Sequence, residues 1–303
     1  MKDFLSIETY PKEILRELLR IAARLKRLYG AGVNDLCLVG KTIVMLFEKP
    51  SLRTRASFEV AMVNLGGGAI YVKPHDIGGI GKREPVKDIA RVLSRYTDAI
   101  VARTFSHRTI EELAENSDIP VINALSDRFH PCQVMGDMLT IKENTDVTEG
   151  TNVAFIGDGN NVARSLAIAC ARFGMKFVIA SPKGYDLDTQ SIDKANEIAA
   201  GSARRLHDPV EAVSEADFIY TDTWVSMGQE DEKDTRLEDF KGFQLNNQLL
   251  KSAPENVKIM HCLPAKRGLE ITDEVLESGN SIIFEQAENR LHFQRALLKK
   301  LIS

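Results

Sequence analysis

Apolar and polar positions follow two rhythms along the chain. Short, nearly unbroken apolar runs mark buried strands, and longer stretches with apolar residues three and four apart mark helices. Leu5 to Ala31 has the helical spacing. It reads as one or two amphipathic helices, with Ser6 and Thr9 as caps and Pro11 suited to a first helical turn. Lys41 to Phe47 is the first strand; Glu48-Lys49-Pro50 ends it, and a helix from Arg55 to Leu65 follows. After Gly66-Gly67-Gly68 come a strand at Ala69 to Val72, a Gly-rich loop from Pro74 to Pro85 and a helix from Val86 to Tyr96. Strand Ala99 to Ala102, helix Thr109 to Asn116 and strand Val121 to Asn123 continue the series. A connecting helix runs from Pro131 into Glu143, and Asp146 to Gly150 reads as a surface joint.

A second series begins there. Its strands are Asn152 to Ile156, Lys176 to Ala180, Phe218 to Thr221, Lys258 to His261 and Ser281 to Phe284, with helices between them and a last helix from Glu288 to Leu301. Alternating strands and helices imply an α/β fold of two domains, each a mostly parallel open sheet flanked by helices. The first domain is expected at residues 1–146, with the C-terminal helix 288–303 packing back on it, and the second at 147–287.

The length of 303 residues agrees with two domains at roughly 100–200 residues each. With 44% hydrophobic and 27% charged residues, such domains form cores without staples. A net charge of -4 removes any global basic field for nucleic acid, so an anion site must be a local cluster of arginines. No apolar run reaches the roughly 18 residues of a membrane span. The charged N-terminus, MKDFLSIETYPKEIL, reads as neither a secretory nor a transit peptide. Cys37, Cys132, Cys170 and Cys262 form no C-x-x-C pair, which disfavours a zinc site or a disulfide framework. A reduced, cytoplasmic chain is the expectation.

Open α/β sheets bind ligands beyond the C-terminal ends of their strands, and the unusual segments stand at such places. Ser51-Leu52-Arg53-Thr54-Arg55 puts hydroxyls and guanidiniums at a helix N-terminus, where free amides and the helix dipole favour an anion. Alone, such a motif more often marks a capped helix with solvated arginines. Arg103 follows a strand and is either a second cation for the same pocket or a surface arginine. His130-Pro131-Cys132-Gln133 opens a helix; neutral His and Gln donate to a carbonyl or a developing oxyanion, or the histidine is satisfied by backbone. Gly157-Asp158-Gly159-Asn160-Asn161-Val162 starts like a dinucleotide fingerprint. Val162 stands at the third glycine, however, and the next strand runs into Ser181-Pro182 rather than an acidic residue, which disfavours nicotinamide. Asn160 and Asn161 offer amides to a polar ligand instead. Asp222 could hold an ammonium group, Trp224 packs, and Cys262 belongs either to the core or to a site.

Taken together, these segments resemble the ornithine carbamoyltransferase family. The resemblance runs from Phe47-Glu48-Lys49-Pro50-Ser51-Leu52-Arg53-Thr54-Arg55 to Glu285-Gln286-Ala287-Glu288-Asn289-Arg290, with the motifs in the family's order. It implies transfer of the carbamoyl group of carbamoyl phosphate to L-ornithine, giving L-citrulline and phosphate without metal or organic cofactor. By the same resemblance, Ser51, Arg53 and Thr54, with the backbone at Leu52, bind the phosphate, Arg103 bridges phosphate and carbonyl oxygen, and Arg290 closes the phosphate side. His130 contacts the carbonyl oxygen and Gln133 the carbamoyl nitrogen, which Cys262 and Leu263 also hold, partly by backbone carbonyl. Asn161, Asp222, Ser226 and Met227 bind ornithine, with Asp222 on its α-ammonium. Arg53, Arg103, His130 and Cys262 form the implied catalytic set. Whether Cys262 acts by thiol or backbone stays open.

The family assembles as trimers or multiples of trimers with sites at subunit interfaces, completed by a neighbour's loop, here Asp76 to Glu84. This chain has Gly79 where many relatives carry glutamine and Arg83 where many carry glycine, so Lys82 or Arg83 could supply the charge of that contact instead. An aspartate-specific relative is the near alternative, but His261-Cys262-Leu263-Pro264 and Ser226-Met227-Gly228 point to ornithine. A nicotinamide reductase and a non-catalytic relative are the distant ones.

Overall fold

The computed structural model describes residues 1–145, 148–225 and 230–303. The expected joint at 146/147 and the candidate ligands Ser226 and Met227 lie outside them. The chain forms two compact units, Met1–Leu139 with Glu288–Ser303, and Thr140–Ala287.

In chain order the first part comprises α1 (Lys12–Gly30), β1 (Thr42–Phe47), α2 (Leu52–Asn64), β2 (Gly68–Val72), α3 (Val86–Tyr96), β3 (Ala99–Arg103), α4 (His107–Glu115), β4 (Val121–Leu125) and α5 (Pro131–Asn144). Then follow β5 (Asn152–Ile156), α6 (Asn161–Phe173), β6 (Lys176–Ala180), α7 (Thr189–Ile198), β7 (Ala203–Leu206), α8 (Pro209–Val213) and β8 (Phe218–Thr221). Last come α9 (Lys233–Asp239), α10 (Asn247–Leu250), β9 (Lys258–His261), α11 (Asp273–Leu276) and α12 (Ile283–Ile302).

In the first unit the sheet order is β2-β1-β3-β4, all parallel. Helices cover both faces of a parallel sheet, so its central strands are apolar throughout. Accordingly β1 and β3 are buried along almost their whole length, whereas edge strand β2 is half exposed. Beyond β4, Phe4 pairs with Ile122 and covers that edge. One core cluster packs Val44, Leu46 and Ile100 against Ile89 of α3 and Ile110 and Leu113 of α4. Helix α1 buries Leu15, Leu18, Leu19, Ala22 and Leu25, the single stripe its spacing predicts. Its N-cap is Pro11, with no side-chain cap, so neither Ser6 nor Thr9 serves as expected.

In the second unit the order is β7-β6-β5-β8-β9, again parallel. The fifth strand is β7, not the expected Ser281 to Phe284. There only Ser281 makes an isolated bridge to Ile259, and α12 has begun at Ile283. Edge strand β7 reads Ala-Arg-Arg-Leu and turns both arginines to solvent, a charged edge without the apolar alternation that marks strands.

Candidate active site

Strand order locates the sites. In each sheet the order reverses at one point, between β1 and β3 in the first unit and between β5 and β8 in the second. A ligand crevice opens there, beyond the C-terminal strand ends, because the following helices diverge to opposite faces.

In the first unit, β1 runs out at Phe47 and Ser51 caps α2 in an extended conformation, its Oγ accepting from the Thr54 amide at 3.3 Å. Capping starts the helix at Leu52, three residues before the apolar pattern predicted. The Ser51 hydroxyl donates to Thr54 Oγ1 at 3.0 Å, and Arg290 Nη2 of α12 donates to the same oxygen at 2.8 Å. A guanidinium is thereby aimed at the N-terminus of α2, whose dipole already favours an anion. Arg103 is the last residue of β3 and is buried; its carbonyl accepts from the Glu48 amide at 2.8 Å, which ties the ends of β1 and β3 together. Arg53 is half-buried. Arg55, counted in the same cluster by sequence, is diverted: it pairs with Glu59 at 2.9 Å and lies over the Tyr71 ring.

His130 stands immediately before α5 and is buried. Burial, with the charges of Arg290 and Arg103, pushes its pKa well below the usual histidine range, so it is neutral near pH 7. Its carbonyl accepts from the Gln133 amide at 3.1 Å. Gly136, one turn along α5, admits α12 at Arg290; a Cβ there would stand 3.1 Å from Arg290 Cγ and 3.3 Å from its backbone. Thus Ser51, Thr54, Arg103, His130 and Arg290 form one cluster with two guanidiniums and one neutral imidazole.

In the second unit, β5 ends in Gly157-Asp158-Gly159. At Gly159 a Cβ would fall on the backbone of Asp186 and Leu187, so glycine is required for close approach. Asn160, expected to offer an amide to a ligand, makes several bonds within the fold. Its Oδ1 caps α6 through the Val162 and Ala163 amides at 2.9 and 3.1 Å, and its Nδ2 donates to Asp222 Oδ2 at 2.8 Å. Asn161, the first residue of α6, is half-buried. Asp222 follows β8 and also accepts from the Thr223 amide at 2.7 Å and the Cys262 thiol at 2.9 Å. Cys262 therefore spends its S–H on Asp222.

Below that thiol, His261 Nδ1 accepts from the Leu263 amide at 2.8 Å, which fixes the proton on Nε2, facing Glu270 Oε1 at 3.1 Å. Leu263 has φ +57°, a left-handed conformation costing about 1–2 kcal/mol outside glycine. The His261 ring supports it. Asp222, His261 and Cys262 bring three ligand-type atoms within 4.8 Å of one another. A metal ion would have to displace the Leu263 amide from His261 and the thiol proton from Asp222, so the donor set is already committed.

Neighbouring residues went unsingled in the sequence. Arg236 of α9 is buried, pairs with Asp158 at 3.3 Å and Glu232 at 2.8 Å, and donates to the Trp224 carbonyl at 3.0 Å. Burial raises Asp158 to about 6 despite this partner. A cavity of about 540 Å³ adjoins them, lined by Asp158, Tyr185, Asp186, Glu232, Arg236 and Asp239. Arg236 lies in a run of charged residues, and nothing local distinguishes it from its solvated neighbours.

Known proteins share this organisation. Residues 2–143 match the carbamoyl-P binding domain of aspartate/ornithine carbamoyltransferase, and residues 149–301 match the Asp/Orn binding domain. The chain is 50% identical to the ornithine carbamoyltransferase of Methanocorpusculum labreanum over 302 residues, covering 100% of this chain and 98% of that protein. The relative from Pyrococcus furiosus described as anabolic is 48% identical, over 98% of this chain and 95% of its own length. A solved structure of ornithine carbamoyltransferase from Pyrococcus furiosus superposes with a TM-score of 0.96 at 47% identity, covering 99% of this chain and 97% of that one. The enzyme from Thermus thermophilus gives 0.91 at 44% identity, over 100% and 99%.

Proposed function

The chain belongs to the aspartate/ornithine carbamoyltransferase family, and we propose that it transfers the carbamoyl group of carbamoyl phosphate to the δ-amine of L-ornithine, forming L-citrulline and phosphate. The observation that carries the reading is the anion cradle: Arg290 and Ser51 converge on Thr54 at the N-terminus of α2, beside a buried, neutral His130.

Chemistry assigns the roles. The attacking amine has a reference pKa of roughly 10.4 and reacts only when neutral. Its nitrogen bonds to the carbamoyl carbon, the carbonyl π electrons pass to oxygen, and collapse breaks the C–O bond to phosphate while the amine gives its proton to the departing phosphate. Phosphate is already a competent leaving group, so orientation and oxyanion stabilisation supply most of the acceleration. Ser51, Arg53, Thr54 and the Leu52 amide hold phosphate with Arg290. Arg103 spans phosphate and carbonyl oxygen, and His130 donates to that oxygen as a neutral imidazole. Gln133 and the backbone at Cys262 and Leu263 take the carbamoyl nitrogen. Asp222 and Asn161, with Ser226 and Met227, take ornithine; Asp222 exchanges a present donor for the α-ammonium. No step calls on a metal or organic cofactor.

The same reading carries a cytoplasmic homotrimer or multiple of trimers, with loop Asp76 to Glu84 lent to a neighbour's site. Light scattering then gives three, or a multiple of three, times the chain mass. The Pyrococcus furiosus relative described as anabolic favours the citrulline-forming direction.

The deciding assay supplies carbamoyl phosphate with ornithine, aspartate, putrescine or N-acetylornithine and measures ureido product and phosphate. Citrulline from ornithine, with little product from the others, supports both halves. Product from another amine retains the first unit's roles and removes those of Asp222 and Asn161. No product from any amine removes the reaction.

A further inference from the structure

Gln133 and Asp137 are four residues apart on α5 and share one face. Both are buried, at 1% and 0% exposure. Gln133 Nε2 donates to Asp137 Oδ1 at 2.9 Å. The Asp137 oxygen is the acceptor of this contact, and only the amide nitrogen of Gln133 can be its donor. The contact therefore selects one of the two amide orientations, with nitrogen on Asp137 and oxygen turned away. That oxygen, Gln133 Oε1, is buried and has no hydrogen-bond partner among the described residues. A buried acceptor left without a donor is costly, and it persists where a ligand supplies the donor. Gln133 lies in the turn of α5 that follows His130 and precedes Gly136, which packs on Arg290.

We propose that Asp137 is a specificity-determining positioning residue, which holds the Gln133 amide so that Oε1 accepts from the NH2 of the carbamoyl group. The proposal rests on the reading of Gln133 as a carbamoyl contact. Acetyl phosphate has the same heavy-atom skeleton with CH3 in place of NH2. It fills the space but leaves Oε1 desolvated and unpaired, so the site favours the acyl phosphate that bears N–H. Without a carboxylate at 137 the amide can turn over and present Nε2, a donor facing a donor.

The test measures dissociation constants of carbamoyl phosphate, acetyl phosphate and inorganic phosphate for wild type, Asp137→Asn, Gln133→Leu and the double variant. Wild type prefers carbamoyl over acetyl phosphate by on the order of tenfold or more. Asp137→Asn reduces the preference to about twofold and leaves inorganic phosphate affinity unchanged. In the Gln133→Leu background Asp137→Asn adds nothing to the loss, because both remove one interaction. Equal weakening of inorganic phosphate, or a further drop in the double variant, indicates a general structural role and overturns the proposal. An intact preference in Asp137→Asn, with a reduced one in Gln133→Leu, overturns the proposal alone. An intact preference in Gln133→Leu overturns the reading of Gln133 and the proposal with it. Asp137→Glu keeps a carboxyl acceptor, so it retains the preference; its loss there counts against the proposal, and this variant carries the test if Asp137→Asn does not fold.

Discussion

At the scale of single residues, His130 unites position, burial and charge. Its pKa is held well below the ordinary 6.5 by burial and by two guanidiniums. The imidazole is therefore neutral near pH 7, the form in which the proposed reaction uses it as a hydrogen-bond donor. His130→Asn keeps a donor of shorter reach, so kcat is expected to fall about 10²-fold or more. The acid limb of the rate profile stays where it is in wild type, because His130 is not the group that titrates there. A profile whose acid limb moves with the substitution rules out the neutral role. Linkage gives a second consequence. Below about pH 6.5 the unfolded chain binds a proton at this histidine that the folded chain does not, so stability falls as pH drops through that value. Urea unfolding at pH 7.5 and 5.5 tests this: wild type loses more stability between the two than His130→Asn does. Ser51, Thr54, Arg103 and His130 share a place readable in the sequence, at the end of a strand or at the entrance of the helix that follows one. Asp137 and Arg236 give no such signal. Their meaning comes from a buried partner or carbonyl that local pattern does not mark.

At the scale of elements, the strongly apolar strands were legible almost to the residue. β5, β6 and β8 have the predicted bounds because both faces of a central parallel strand demand apolar side chains, and β9 has them because it is buried although it ends the sheet. β7 was illegible because this edge strand carries two exposed arginines in place of an apolar run. Ser281 to Phe284 misled because an apolar tetrad fits a buried strand and a buried helix entrance equally. The loop between β5 and α6 bears two predictions. Asn160→Ala removes the cap of α6 and one donor to Asp222 together. Stability should fall by about 1 kcal/mol, and the KM for ornithine should rise while that for carbamoyl phosphate does not; a change confined to stability would leave Asn160 a cap only. Gly159→Ala places a methyl on the backbone of Asp186 and Leu187. The loop must move, at a cost of about 3 kcal/mol or more, seen as a lower urea midpoint with an unchanged slope.

At the scale of the whole molecule, each unit presents its own set of polar groups at its own strand-order reversal. Carbamoyl phosphate alone should protect the first unit. At a concentration a hundred times its Kd, the binding term is about 2.7 kcal/mol. Hydrogen exchange is then expected to slow at Ser51 to Phe58 and His130 to Met138. Equal slowing at Asn152 to Phe173 in the absence of ornithine would contradict this division of roles. The chain order adds a temporal constraint. The first unit is built from Met1–Leu139 and Glu288–Ser303, and Arg290, which donates to Thr54, arrives only with the second segment. A ribosome adding about 5–20 residues per second takes on the order of ten seconds to cross the intervening stretch. During that interval the nascent first unit carries Ser51, Thr54, Arg103 and His130 but lacks the helix that supplies Arg290. Thr54 therefore has no Arg290 donor, and the first unit stays incomplete, until α12 has left the exit tunnel.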